Sequence, residues 1–416
     1  MIIGRLGPLQ LSIAASGYMI ATCTGWLLAV GGTTALDALG SRSFTNKPDN
    51  LGHIGILLQR CLLVITVLYL PVALLWCFVG PILTLCGQST ELAYGTQTFM
   101  RHLVPFGPGY LYFETLKKFL QCQNIQTPGT AILFVVAVIH VPLCWFIVHT
   151  LDFGLLGGVV ATGSMYWLAC FLIFAYICFV DGSQAWMKPS REALRDIGSF
   201  ARLVGWGLVM VGAEWWAFEL IAIAAGAMGS LPMAAQSIMM TVDSIFALIP
   251  FGLGVASTNR VANLMGHNRI EQARLAARAA SCLAIANGCL TMTVIMLLRR
   301  PISRVFSDNS EVVALAAAVF PWGAAFQVVD SLQAANSGCL RALGRADIGA
   351  TVNIVAYYVF AIPVGIITGF YLELGLHGLW LGVSTCTRHR FYSAKSATHD
   401  SILNFDSLLL HWLSLE

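Results

Sequence analysis

Charge is what this sequence has least of: Lys, Arg, Asp and Glu together make up 10% of its 416 residues. Soluble domains carry about a quarter, so a water-soluble globular chain is excluded. The net charge of +3 is too small to direct the protein to nucleic acid. Catalytic signatures are missing as well. No HExxH, no GxSxG and no cluster of His or Cys ligands occurs, which argues against a membrane-embedded enzyme and against a metal centre. The twelve cysteines follow neither a metal spacing nor a disulfide pattern. Most fall in apolar runs, as Cys61, Cys77, Cys144, Cys170, Cys178, Cys282 and Cys289 do, and read as free, small packing residues. No short apolar region with a cleavage site opens the chain, so a signal peptide is not expected.

What the sequence has instead is apolar length: 57% of its residues are hydrophobic and the mean hydropathy is +0.77. A hydrocarbon core of about 30 Å takes roughly 20 apolar helical residues to cross. That ruler predicts ten spans, Leu9–Gly31, Cys61–Val79, Leu103–Leu120, Ala131–His149, Leu155–Val180, Leu203–Ala225, Leu231–Val255, Ala279–Leu298, Val312–Leu340 and Ile348–Phe370, with an eleventh beginning near Leu374 and stopping early. The fold class is therefore an all-α polytopic membrane protein. Between spans, most Lys and Arg, among them Arg42, Lys47, Arg60, Lys117, Lys118 and Lys188, fall in one alternating set of segments, which the positive-inside rule assigns to the cytosol. The other set holds Arg5, Arg101, Arg299, Arg300 and Arg304. The last three argue against the alternation but are outvoted.

The polar stretch 181–199, "DGSQAWMKPSREALRDIGS", divides two similar halves. Pro105, Gly107, Glu114 and Leu116 recur 216 residues later as Pro321, Gly323, Asp330 and Leu332. Gly129 then matches Gly349, while Pro142, Gly154 and Gly157 match Pro363, Gly375 and Gly378; upstream, "LGPLQL" pairs with "MGSLPM" and Gly32 with Gly254 at an offset of 222. The halves are parallel copies, which implies a two-fold axis along the membrane normal. The expected organisation is an N-terminal bundle over 1–180, a cytoplasmic connector over 181–199, a C-terminal bundle over 200–384 and an atypical polar tail over 385–416. Register comparison predicts a parent of six plus six spans. The first helix of the first copy would then be missing and the last helix of the second replaced.

Four stretches in order, "EWWAFE" (214–219), "PFGLGVASTNRVANLMGHNRIEQAR" (250–274), "CLRALGRADIGATVNIVAYYVFAIPVG" (339–365) and "LGLHGLWLG" (374–382), together resemble the eukaryotic branch of the multidrug and toxic compound extrusion (MATE) family. The resemblance runs from Leu6 to about Gly382, departing at Ala262 and Ala342, where the family often has glycine. It implies two six-helix bundles around a central cavity and the exchange of an incoming cation, usually H⁺ with Na⁺ possible, for an outgoing organic solute. Acids of the family's seventh and tenth helices are associated with proton coupling or substrate binding. They match Glu214, Glu219 and Asp330 here, so coupling is expected to reside in the second bundle.

Physical chemistry singles out the same residues. A lone charge at mid-bilayer costs about 2.5–3.5 kcal/mol, so membrane-depth acids are protonated, paired or wet. Glu214 and Glu219 stand about 140° apart on one helix and cannot share a narrow stripe. Asp330 and Asp243 are candidates at similar depth. Glu114, the repeat mate of Asp330, has Lys117 and Lys118 within a turn, so a surface ion pair competes with a coupling role. Asp37 is expected to structure a turn, and His140 to be a satisfied packing residue more readily than a proton shuttle. Trp215, Met240, Tyr357 and Tyr358 are candidates to line a pocket for flat aromatic cations, with core packing as the competing reading. The function expected is a proton-coupled antiporter of organic solutes, working as a monomer without a bound cofactor, in the plasma membrane or else a vacuolar or other organelle membrane. The alternatives are a transport-inactive truncated splice or gene-model product and a lipid-linked sugar flippase. A flippase would need Lys or Arg in the central spans, which hold almost none.

Overall fold

The structure is a computed structural model that describes residues 2–46 and 51–384. The expected polar tail over 385–416 and Lys47 of the basic loop lie outside the described residues. Among those described, all regular structure is helical. Among the described residues, nine helices are long and apolar enough to cross a membrane. In chain order the helices used below are α1 (Leu9–Thr45), α2 (Gly52–Cys77), α3 (Thr90–Leu103), α4 (Gly107–Cys122), α5 (Thr127–Thr150), α6 (Gly154–Phe179), α7 (Ile197–Ala227), α8 (Ser230–Gly266), α9 (Ile270–Phe306), α10 (Ser310–Ala342), α11 (Ala346–Tyr371) and α12, residues 375–384.

One expected span differs in form. Leu103–Leu120 is not a single apolar helix but the second half of a longer path, α3 and α4 joined by a 3-10 turn at Val104–Phe106. Its mate α10 runs unbroken through Pro321. The sequence explains the difference: "VPFGPG" sets Pro108 three residues after Pro105, and the position matching Pro108 is Ala324. One missing N–H can be absorbed as a bend, whereas two within a turn remove two rungs of the ladder from the same short stretch.

The chain divides into two compact units between Leu208 and Val209, inside α7. The connector packs on the first unit. Gln59 Nε2 donates to the Met187 and Lys188 carbonyls at 2.9 and 3.0 Å, Ser190 N donates to Gln59 Oε1 at 3.0 Å, and Arg60 Nη2 reaches the Glu192 carbonyl at 3.1 Å. Aromatic side chains fill each core. In the first unit Trp26 meets Trp76, Tyr110 and Tyr166 at ring separations of 5.8, 4.7 and 5.2 Å. In the second, Phe218 meets Phe326, Tyr357 and Trp380 at 5.6, 6.0 and 6.4 Å.

The duplication is written into backbone geometry. Gly7 (φ 127°) and Gly229 (φ 120°), matched at offset 222, both adopt an extended conformation at positive φ that is open essentially to glycine alone. Asn124 and Gly344 are both left-handed at offset 220, as are Asp152 with Glu373 and Gly154 with Gly375 at offset 221. Pro142 and Pro363 are each followed four residues on by a π-helical segment, Phe146–Thr150 and Ile367–Tyr371.

In the second unit α11 and α12 approach through two small-xxx-small pairs, Gly365 with Gly369 and Gly378 with Gly382. The Thr368 hydroxyl donates across this contact to the Gly378 carbonyl at 2.7 Å. A Cβ at Gly378 would stand 2.5 Å from Gly369 N, and one at Gly382 would strike the backbone of Gly365 and Ala361. The matching positions of the first unit, Cys144, Val148, Gly157 and Ala161, are small as well, and three of them form a buried cluster. Gly382→Leu is therefore expected to lower the melting temperature of the purified protein by the equivalent of about 1–3 kcal/mol of overpacking or more. Gly198→Ala, where a Cβ meets nothing within 4 Å, is the neutral control.

Candidate functional site

The second unit gathers polar side chains at membrane depth among its aromatic rings. Glu214, half-buried on α7, accepts a hydrogen bond from the Tyr357 hydroxyl at 2.9 Å. Tyr357 is fully buried and stands in the π-helical segment Val355–Ala361 of α11. Such a widened turn moves its side chains off the regular helical register, and π-bulges recur at functional sites. Asp243, half-buried on α8, accepts from Gln327 Nε2 of α10 at 2.7 Å. Each of these two carboxyls is thus held by a neutral donor from another helix of the same unit, Tyr357 of α11 and Gln327 of α10.

The amides around these acids are incompletely satisfied. Gln327 is 1% exposed, and its Oε1 has no hydrogen-bond partner among the described residues. A glutamine amide can turn over. With Nε2 toward Asp243 it donates to a carboxylate; turned, its Oε1 accepts from a carboxylic acid. The pair can therefore satisfy Asp243 in either protonation state. Gln236 accepts from Trp380 Nε1–H at 2.8 Å, leaving its own Nε2 buried without a partner. Nearby, Gln333 Nε2 donates to Asn353 Oδ1 at 3.0 Å, and Asn353 Nδ2 donates to the Met210 carbonyl at 2.7 Å, joining α10, α11 and α7.

Of the residues expected from sequence, Glu214, Asp243 and Tyr357 come together here, and Met240 and Tyr358 pack against the same aromatic core. Asp330 is half-buried on α10, three residues beyond Gln327 and three before Gln333, so the three follow one slanting stripe. Glu219 is half-buried about 140° round α7 from Glu214, and Trp215 is half-buried beside it. Glu114 stands apart, in the first unit, where Lys117 Nζ lies 2.6 Å from its Oε1. Asp37 corrects the expectation of a turn: it lies within the helix Thr34–Asn46, with Oδ2 2.8 Å from Lys118 Nζ, both side chains buried. His140 is hydrogen-bonded. Its Nε2 is 3.2 Å from Thr162 Oγ1, which lies 3.1 Å from the Tyr18 hydroxyl and donates to the Gly158 carbonyl at 2.9 Å, so both Tyr18 and His140 act as donors. The residues sequence reasoning missed are Gln236, Gln327, Gln333, Asn353 and Trp380. The signal was present: amides in apolar helices are costly for the same reason as acids.

Comparison with known proteins agrees with this architecture. The MatE family model matches residues 1–146 and 207–367. An uncharacterized transporter of Schizosaccharomyces pombe is 36% identical over 92% of this chain and 71% of its own length. Protein DETOXIFICATION 16 of Arabidopsis thaliana is 33% identical over 92% of this chain and 79% of its own. The crystal structure of the eukaryotic MATE transporter AtDTX14 superposes with a TM-score of 0.91 at 28% identity, covering 97% of this chain and 91% of that one. With its multiple apolar helices and its duplicated units, the chain belongs to the MATE family and is a multi-pass integral membrane transporter, not an enzyme.

Proposed function

We propose that the protein is a proton-coupled antiporter that exports organic solutes, chiefly cations, by alternating access, acting as a monomer with H⁺ as the coupling ion and no other cofactor. The observation that carries the reading is the pairing of Glu214 with Tyr357 and of Asp243 with Gln327, two acids each bonded to a neutral donor. Along the chain, no Lys or Arg occurs between Arg202 and Arg260, so α7 and α8 bring no fixed positive charge to this depth. An acid held by neutral donors can gain and lose a proton as access to water changes, and a cationic solute can occupy the site when the proton leaves. Asp330 continues the stripe of Gln327 and Gln333 on α10, Glu219 offers a further carboxyl on another side of α7, and the half-buried Tyr358, Met240 and Trp215 supply aromatic and thioether surface for a flat cation, with Tyr357 beneath them in the core. Supporting this reading, a relative from Mus musculus is named multidrug and toxin extrusion protein 2, 29% identical over 94% of this chain and 68% of its own length. Export toward an acidic exterior fits the plasma membrane; in a vacuolar membrane the same exchange would load the lumen.

The test is transport in reconstituted vesicles holding a fluorescent organic cation. An imposed gradient, acid outside, should drive its release, and a protonophore should abolish that release. Release unaffected by collapse of the pH gradient, or driven by a Na⁺ gradient instead, would overturn proton coupling.

A further inference from the structure

The three arginines that break the charge alternation of the sequence surround one cavity. Arg299, Arg300 and Arg304 of α9 line a concavity of about 600 Å³ together with Asp308, Ser310 and the small residues Ala314 and Ala317 of α10. We propose that this cavity binds the phosphate headgroup of an anionic phospholipid.

The first argument is cost. These residues make up three of the five Lys and Arg in the segments assigned away from the cytosol, where basic residues oppose topology. Arg300 and Arg304 are also an i, i+4 pair of like charges, which disfavours the helix on its own. The partial negative charge of a helix C-terminus accounts for Arg304, in the last turn of α9. Arg299 and Arg300 lie beyond its reach, more than a turn further back.

The second argument is charge balance. Among the described residues, no acid stands within ion-pair distance of any of the three arginines. Asp308 is the single acid lining the cavity, against three guanidinium groups. A phosphate accepts from several guanidinium forks at once, which an isolated carboxylate cannot match. The N-terminus of α10 needs no ligand, since Asn309 Oδ1 already accepts from Glu311 N at 2.9 Å.

The third argument separates a lipid from free phosphate. Apolar side chains flank the arginines and face outward: Leu297 is 75% exposed and Val305 81%. A headgroup in the cavity would lay its acyl chains along that surface, gaining apolar burial that inorganic phosphate cannot. Basic pockets between membrane helices recognise anionic headgroups on this principle at the cytoplasmic face, and this cavity would take such a lipid from the opposite leaflet.

The experiment uses the full chain, extracted from vesicles of phosphatidylcholine with a minor share of phosphatidylglycerol, and measures the lipid retained by native mass spectrometry. The wild type should retain phosphatidylglycerol well above its share in the vesicle. Each arginine near the surface contributes about fivefold to anionic-lipid affinity, so R300Q/R304Q should reduce the enrichment by roughly 25-fold, while R300K/R304K keeps most of it. Melting temperature and monodispersity establish that the variants are folded, and R299Q, expected to lose about fivefold, carries the test if the double glutamine variant is not. Enrichment unchanged in R300Q/R304Q would overturn the proposal. So would displacement of the lipid by millimolar inorganic phosphate at constant ionic strength, which would assign the cavity to free phosphate.

Discussion

Glu214→Gln and Asp243→Asn are each expected to cut proton-driven transport of an organic cation by about 10- to 100-fold, the range of a coupling free energy lost between two linked ligands. The substitutions remove the titrating group and little else. Gln at 214 can still accept from Tyr357, and Asn at 243 can still pair with Gln327 in either amide orientation. The melting temperature should therefore stay near that of the wild type. Both acids serve the same coupling step in this account, so the double variant should lose little more than either single one, the non-additivity expected of groups that act as a unit. Glu114→Gln is the contrast: its carboxylate is engaged with Lys117 in the other unit, and its loss should leave the pH dependence of transport in place. Transport assays on the four proteins across external pH make the comparison. Full pH-driven transport in Asp243→Asn would contradict the assignment.

Asp37→Asn is expected to destabilise the first unit by about 3–5 kcal/mol, the cost of leaving a buried ion without its partner. Lys118 Nζ is 2.8 Å from Asp37 Oδ2, and both side chains are nearly inaccessible. Neutralising the acid strands a buried ammonium group, and Lys118→Met strands the carboxylate. Removing both charges should recover most of the loss, because a buried pair and a packed neutral pair are often close in stability. The second unit carries that neutral solution at the repeat positions, Asn259 and Ala334. Thermal unfolding of the two single variants and of Asp37→Asn/Lys118→Met tests this. Single variants as stable as the parent would mean that the pair is wet.

Much of this architecture is legible in the sequence because lipid imposes strong local rules. Apolar length gave the spans, and the recurrence of Pro105, Gly107 and Glu114 as Pro321, Gly323 and Asp330 gave the duplication. The break at Val104–Phe106 needed the second proline, Pro108, to be weighed alongside the first. The π-helical segments were not legible, since a widened turn is a local shift in backbone hydrogen bonding and not a matter of composition. The acids were found because a charge at membrane depth is conspicuous on its own helix. Their partners were not, because Tyr357 and Glu214 are 143 residues apart and Gln327 and Asp243 are 84. Asp37 was misread for the same reason: its partner, Lys118, comes from a helix that local turn chemistry cannot anticipate.

Proton release on ligand binding tests the central claim most directly. Purified protein in weakly buffered detergent solution is mixed with a fluorescent organic cation, and a pH-sensitive dye reads the protons that appear. The wild type should release protons in step with ligand bound, and a Glu214→Gln/Asp243→Asn variant should release none. Saturable binding of the cation to the wild type with no proton release would contradict the account.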